Sequence, residues 1–156
     1  MKKMLVVVGI LLTLGIAQPV MSSRHLAEGN VGERVVAGGV ALTVNATQRL
    51  AIIIAPGRPP LTPTLDGHEY IVVDVTIENV ERDWVPYNPL FFTVRDSDGY
   101  EYVMDSEASF MSPRPLRSGE LARGDKVRGT VVFQVPKRKG LLLIYKIGDY
   151  QIRVRL

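Results

Sequence analysis

Cysteine is missing from all 156 residues, and more than disulfide bonds goes with it. Thiol catalysis, a cysteine-based zinc site and a lipid-modified cysteine are all excluded. A small exported domain without disulfides holds together by packing alone, which roughly 120 residues allow. Histidine is nearly as scarce: His25 lies in a polar N-terminal stretch and His68 at a strand entrance. Nucleophilic catalysis needs a base beside the nucleophile, and neither position suggests one. No glycine-rich loop precedes a helix, so a phosphate cradle has no support. Helical periodicity is itself almost absent, since no segment beyond the N-terminus keeps a 3.6-residue apolar stripe for more than a turn or two. Tryptophan occurs once, at Trp84.

What the chain does contain is alternation. In residues 68–80, HEYIVVDVTIENV, the side chains of Ile71, Val73, Val75 and Ile77 fall on one face. Tyr70, Val72, Asp74, Thr76 and Glu78 fall on the other. A period of two with β-branched residues on the apolar face predicts a strand buried on one side, placed at the centre of a sheet. The pattern recurs in residues 128–135, where Val131, Phe133 and Val135 face inward and Thr130 and Gln134 outward. It recurs again in residues 150–156. Residues 31–37 and 40–47 read as two strands parted at Gly38-Gly39, and the apolar run Leu50 to Ile54 as a third, buried on both faces or crossing between sheets. A hairpin is expected around Asp96-Ser97-Asp98-Gly99, whose Asp-Gly suits a tight turn, and another around Gly148-Asp149. Pro56, Pro59, Pro60 and Pro63 keep residues 56–66 out of any ladder. The segment 104–120 reads as a long loop with Phe110 and Met111 plugging the core.

Short strands at intervals near ten residues, joined by two long crossovers, predict an all-β fold. It is an immunoglobulin-like two-sheet antiparallel β-sandwich of about eight or nine strands over residues 31–156. Its 46% hydrophobic content is enough for a core, and 22% charged residues is ordinary for a soluble domain. Residues 1–17 have the parts of an export signal: Lys2-Lys3, an apolar run from Met4 to Ile16, and Gly15 and Ala17 where a signal peptidase reads. The run is shorter than the roughly 20 residues that cross a bilayer, which favours a cleaved signal over an uncleaved anchor. Residues 18–30 are expected to be a flexible tether. The domain is therefore expected outside the cytoplasm, secreted or in the cell envelope, touching a membrane only if the N-terminal segment stays.

The formal charge is +3, of which Lys2 and Lys3 supply two. The remainder is too small to argue for nucleic acid. Its distribution is uneven. Acidic residues dominate residues 25–110 and basic ones dominate from Met111 onward. Either acidic and basic strands interleave and neutralise each other across a sheet, or two opposed faces drive association between copies.

Four stretches resemble a bacterial domain family of unknown function with a telokin-like, immunoglobulin-type sandwich. That family is found in exported proteins and lipoproteins, and is related in fold to a secreted mycobacterial immunogenic protein. Val31-Gly32-Glu33 through Gly38-Gly39-Val40 to Leu42-Thr43-Val44-Asn45 looks like its opening strands. Gly67 through Tyr70 and Ile77 to Glu78-Asn79 is similar to its central strand, and Phe91 to Asp96 with Asp98-Gly99 to its hairpin. Leu116 to Gly119, Gly124 and the GTVVFQVP of residues 129–136 resemble its closing signature. The resemblance implies fold and export; it carries no catalytic residues over.

Few residues suggest chemistry. Asp96 and Asp98 form a fragment of a calcium loop to which Glu101 could add a ligand, but the full pattern wants a third acidic residue before the glycine and a bidentate Glu beyond. The competing reading is a plain hairpin turn. Trp84 and Tyr87, in the irregular stretch 81–89, are either binding anchors or plugs for the end of the sandwich. Lys137, Arg138 and Lys139 make a basic tip without aromatic interleaving, a solvated turn or a contact. No cofactor is called for. The reading that results is a secreted or surface-exposed, non-catalytic interaction module whose partner is a protein, an envelope component or a second copy of itself. The alternatives are a self-assembling structural subunit or a calcium-assisted binding domain.

Overall fold

Alternating β-branched side chains make His68–Asn79 the longest of the described strands, and the other elements are arranged around it. The computed structural model describes residues 25–156; the expected export signal and the first seven residues of the expected tether, 18–24, lie outside the described residues. In chain order the strands are β1 (Leu26–Asn30), β2 (Arg34–Ala37), β3 (Val40–Leu50), β4 (His68–Asn79), β5 (Trp84–Tyr87), β6 (Phe92–Arg95) and β7 (Glu101–Val103). Helix α1 (Ser106–Met111) follows, then β8 (Gly119–Ala122), β9 (Lys126–Pro136), β10 (Leu142–Ile147) and β11 (Tyr150–Arg155).

Two sheets form the sandwich. One has the order β1-β11-β10-β6-β7 and the other β2-β3-β4-β9, while β5 and β8 pair as a separate ribbon. Ile71, Val73, Val75 and Ile77 of β4 meet Phe92, Val94, Leu143, Tyr145, Ile152 and Val154 of the opposite sheet in the main core. This is the face division that alternation predicts. The all-β, two-sheet sandwich is what the chain forms. All pairs are antiparallel except β1 with β11, which run parallel from Leu26 opposite Gln151 to Asn30 opposite Arg155.

Four local expectations are corrected. The tether ends early, because Leu26–Asn30 is strand β1. Its inward position is Gly29, where a Cβ would lie 2.4 Å from a methyl of Val35, so the strand has no apolar alternation to read. The run Leu50 to Ile54 is no separate strand. β3 carries on to Leu50 through a register shift between Val44 and Ala46, and beyond it Ile54 is 72% exposed. The stretch 81–89 contains β5, whose Pro86 faces out of a two-stranded ribbon where a missing donor is tolerated. The loop 104–120 contains α1, six residues capped by Asp105, whose carboxylate accepts the Ala108 N–H at 2.9 Å. A helix that short shows no stripe.

Helix α1 adds a third layer over one end of the four-stranded sheet. Ala108 and Met111 pack with Tyr70, Val132 and Ile53 in a second apolar cluster. Tyr70, on the face expected to meet solvent, is thereby buried. Met111 enters this core as expected, whereas Phe110 is 58% exposed and has the Arg58 guanidinium 5.2 Å from its ring centroid.

The segregated charges interleave. Six of the nine ion pairs among the described residues join an acid of residues 25–110 to a base beyond Met111. Arg128 reaches Asp74 diagonally across the β4–β9 ladder, where Asp74 stands opposite Thr130 and Arg128 opposite Thr76, and Lys146 reaches Glu101 across the other sheet.

Candidate functional site: a cleft at one end of the sandwich

Three turns meet where β4 begins. The β4–β9 register sets His68 opposite Pro136, and the Lys137 N–H donates to the Gly67 carbonyl at 3.0 Å, so the entrance to β4 and the exit from β9 are tied together. The β6–β7 turn closes the third side. Its corner is Asp96, a buried carboxylate that accepts the N–H groups of Asp98 and Tyr100, each at 3.0 Å, and the Tyr102 hydroxyl at 2.8 Å. Gly99 supplies the positive φ of +90° that this turn requires. Burial pushes the Tyr102 phenol upward, and the bond to Asp96 adds to it. An ion pair from Arg138 to Asp98 ties the β9–β10 turn to the β6–β7 turn.

These turns enclose an open cleft of about 450 Å³, within the usual range for small-ligand sites of roughly 300–1,000 Å³. Asp66, His68, Tyr100, Tyr102, Lys137 and Arg138 line it, with Asp96 in its wall. The His68 ring is held at one side: its Nδ1 lies 3.0 Å from the Asp66 carbonyl oxygen, and its edge meets the Tyr102 ring at a centroid distance of 6.4 Å.

The residues that sequence reasoning singled out divide between the two ends of the sandwich. Lys137, Arg138 and Asp96 converge on the cleft. Lys139 is an exposed residue of the adjoining turn. Trp84 and Tyr87 belong to the other end, on β5, next to where β4 stops. Trp84 is 65% exposed and plugs nothing. The Tyr87 hydroxyl lies over Gly119, where a Cβ would be 2.5 Å from it, so Tyr87 is a packing residue. The calcium candidates do not converge. Asp96 is occupied by its three donors, Asp98 by Arg138, and Glu101 by Arg95 and Lys146. The Arg95 hydrogen bond holds the Glu101 carboxyl below its usual range. Among the described residues no three of His, Asp and Glu are grouped as metal ligands. Sequence reasoning missed Asp66, Tyr100 and Tyr102 and set His68 aside as a strand-end residue. The only signal was the pair of tyrosines two apart after the Asp-Gly turn.

Residues 29–152 match the model of a family described as a domain of unknown function, DUF4352. The chain is 30% identical over 122 residues to the uncharacterized lipoprotein YjhA of Bacillus subtilis strain 168, an alignment that covers 74% of this chain and 57% of that relative. The chain thus spans little more than half the length of the curated relative it matches. The crystal structure of the B. subtilis yjhA protein superposes with a TM-score of 0.62 at 24% identity, covering 82% of this chain and 98% of that one. The secreted Mycobacterium tuberculosis protein MPT63 does so with a TM-score of 0.58 at 16% identity, covering 83% and 96%. Those two likenesses concern the fold. With most of its sandwich, its central strand and its closing signature inside the matched span, the chain belongs to the DUF4352 family.

Proposed function

We propose that the protein is an extracytoplasmic, non-catalytic binding module of the cell envelope or its surroundings. One observation carries this reading: an open cleft at one end of the sandwich brings together Asp66, His68, Tyr100 and Lys137, while several carboxylates elsewhere are held by partners within the fold. Asp74 is held by Arg128 and Asn45, Glu78 by Arg34, Glu101 by Arg95 and Lys146, and Asp96 by its own turn. The two histidines also have fixed roles, His25 stacked on Tyr150 at 5.0 Å and His68 against the Asp66 carbonyl. That YjhA is a lipoprotein and MPT63 is secreted supports a place outside the cytoplasm, as does the export pattern of residues 1–17.

The orientation is favourable as well. β1 starts beside Tyr150, at the end of the sandwich opposite the cleft. A domain held from its N-terminal side therefore presents the cleft outward. The test is fractionation of producing cells, followed by co-sedimentation of the purified chain with isolated envelopes. The chain is expected in the envelope or medium, with saturable co-sedimentation. A cytosolic pool with residues 1–17 intact, or sedimentation that never saturates, overturns the reading.

A further inference from the structure

We propose that the cleft at the His68 end is a saccharide site, an inference that rests on reading the protein as an envelope binding module. The argument is one of matching groups. The lining carries Asp66 and Asp96 against Lys137 and Arg138, so its formal charges cancel. Asp96 is enclosed by its own turn and Arg138 is paired with Asp98. Among the described residues, the Asp66 carboxylate and the Lys137 ammonium have no ion-pair partner, one of each sign. A phosphate or carboxylate ligand would meet the Asp66 charge, and a cationic one the Lys137 charge.

What remains is an alternation of donors and acceptors. The His68 Nδ1 faces the Asp66 carbonyl oxygen and so carries a proton, which leaves Nε2 as the ring's remaining hydrogen-bonding position. The Asp66 carboxylate accepts, the Lys137 ammonium donates, and the Tyr100 hydroxyl does both. Sugar hydroxyls are the ligand groups that donate and accept at every position. The apolar half of the cleft fits the same class. Tyr100 is 67% exposed and lines the cleft beside Tyr102 and Pro136, aromatic surface against which the C–H face of a pyranose can stack. An exposed aromatic ring beside a rim of balanced formal charge, with donors and acceptors mixed, fits recognition of a neutral ring bearing hydroxyls.

The test is a chemical-shift titration of the isotope-labelled full chain with N,N′,N″-triacetylchitotriose and, separately, maltotriose. Inorganic phosphate and glycine serve as anionic and zwitterionic controls, and isolated wall glycan as an insoluble arm in a pull-down. The expected result is saturable shifts at the amides of Gly67, Tyr100 and Lys137 with at least one oligosaccharide and with neither control. Tyr100→Ala should weaken that binding about tenfold, with an unchanged melting temperature because the side chain is exposed. Lys137→Ala should weaken it with the same lack of effect on folding. Retention on wall glycan without shifts from the soluble trisaccharides would place the ligand in the polymer. Shifts from phosphate or glycine, sugar shifts centred on Trp84, or no sugar binding in either arm overturn the proposal. If sugars fail while envelope co-sedimentation persists, the saccharide assignment falls and the binding module stands; if both fail, both fall.

Discussion

The two ends of β4 are built differently. At the Asn79 end polar groups find partners within the fold. The fully buried Asn79 side chain donates to the carbonyls of Arg82 and Leu121, at 2.8 and 2.9 Å, and accepts the Arg82 N–H at 3.0 Å. Its backbone N–H goes to Asp125 and its carbonyl receives Gly124. Arg82 in turn donates to the Gly38 carbonyl and lies over the Tyr150 ring. At the His68 end the turns are tied together by a few bonds and the remaining groups face an open cleft. One end is closed by a network whose members depend on one another, and the other is held open by turns that rest on the sheets beneath them. Substitutions that probe folding should therefore act at the first end, and those that probe binding at the second.

Asn79→Ala should break the comparison most severely. It removes three hydrogen bonds, one to a buried carbonyl of Leu121 and two to the half-buried backbone of Arg82, and each unpaired buried group costs about 1–3 kcal/mol. A loss of about 3–4 kcal/mol is expected from urea denaturation. A loss below 1 kcal/mol would show that the closed end is not closed. The glycines give a matched pair one step smaller. Gly38 has a φ of +54°, and an added Cβ would sit 2.6 Å from the Tyr150 ring and 2.9 Å from the Arg82 guanidinium. Gly67, at the cleft end, has a φ of +70° with nothing within 4 Å of that Cβ. Gly38→Ala thus carries both strain and overpacking, about 3 kcal/mol, while Gly67→Ala carries the left-handed backbone alone, about 1–2 kcal/mol. Equal losses in the two variants would remove the distinction between the ends.

How much of this was legible follows the same division. The inner face of β4 and the partition of β9 could be read because a period of two reports directly on burial. Asn79 could be seen to end the strand, though its role as the hub of three bonds could not. The strands that escaped are those whose burial does not use an apolar side chain: β1 turns Gly29 inward, and β5 contains a proline. Alternation sends Tyr70 to solvent because the pattern of β4 records only its own sheet, whereas the covering layer comes from Ile53 and from α1, far along the chain. The cleft was illegible as a cleft. Its parts lie near residues 67, 98 and 137, each visible as a turn, and only the register that sets His68 opposite Pro136 brings them together. The charge asymmetry was visible as numbers, whereas its resolution into cross-strand pairs required the strand order.

Midway between the ends, Asp74 supplies the smallest and most finely resolved test. Its carboxylate takes the Arg128 guanidinium, with Nη2 at 2.7 Å and Nε at 3.0 Å, and the Asn45 amide at 3.0 Å. The Arg128 hydrogen bond is the main reason its pKa is held below the ordinary 3.8, against an opposing push from burial. A carboxyl lowered in this way stabilises the fold above its unfolded pKa, and the contribution disappears as pH falls through the lower, folded value. Stability should therefore decline from about pH 4 downward. Arg128 is half-exposed and solvent screens the pair, so Asp74→Asn should lose only about 1 kcal/mol at neutral pH. The variant should also show a shallower acid slope than the wild type, and the two denaturation curves should converge below the folded pKa. The expected ordering, with Asn79 above Gly38, Gly38 above Gly67 and Gly67 level with or above Asp74, follows how many neighbours each side chain or missing side chain commits. An Asp74→Asn loss larger than that of Asn79→Ala would mean that the mid-sheet ion pair, rather than the closed end, holds β4 in place.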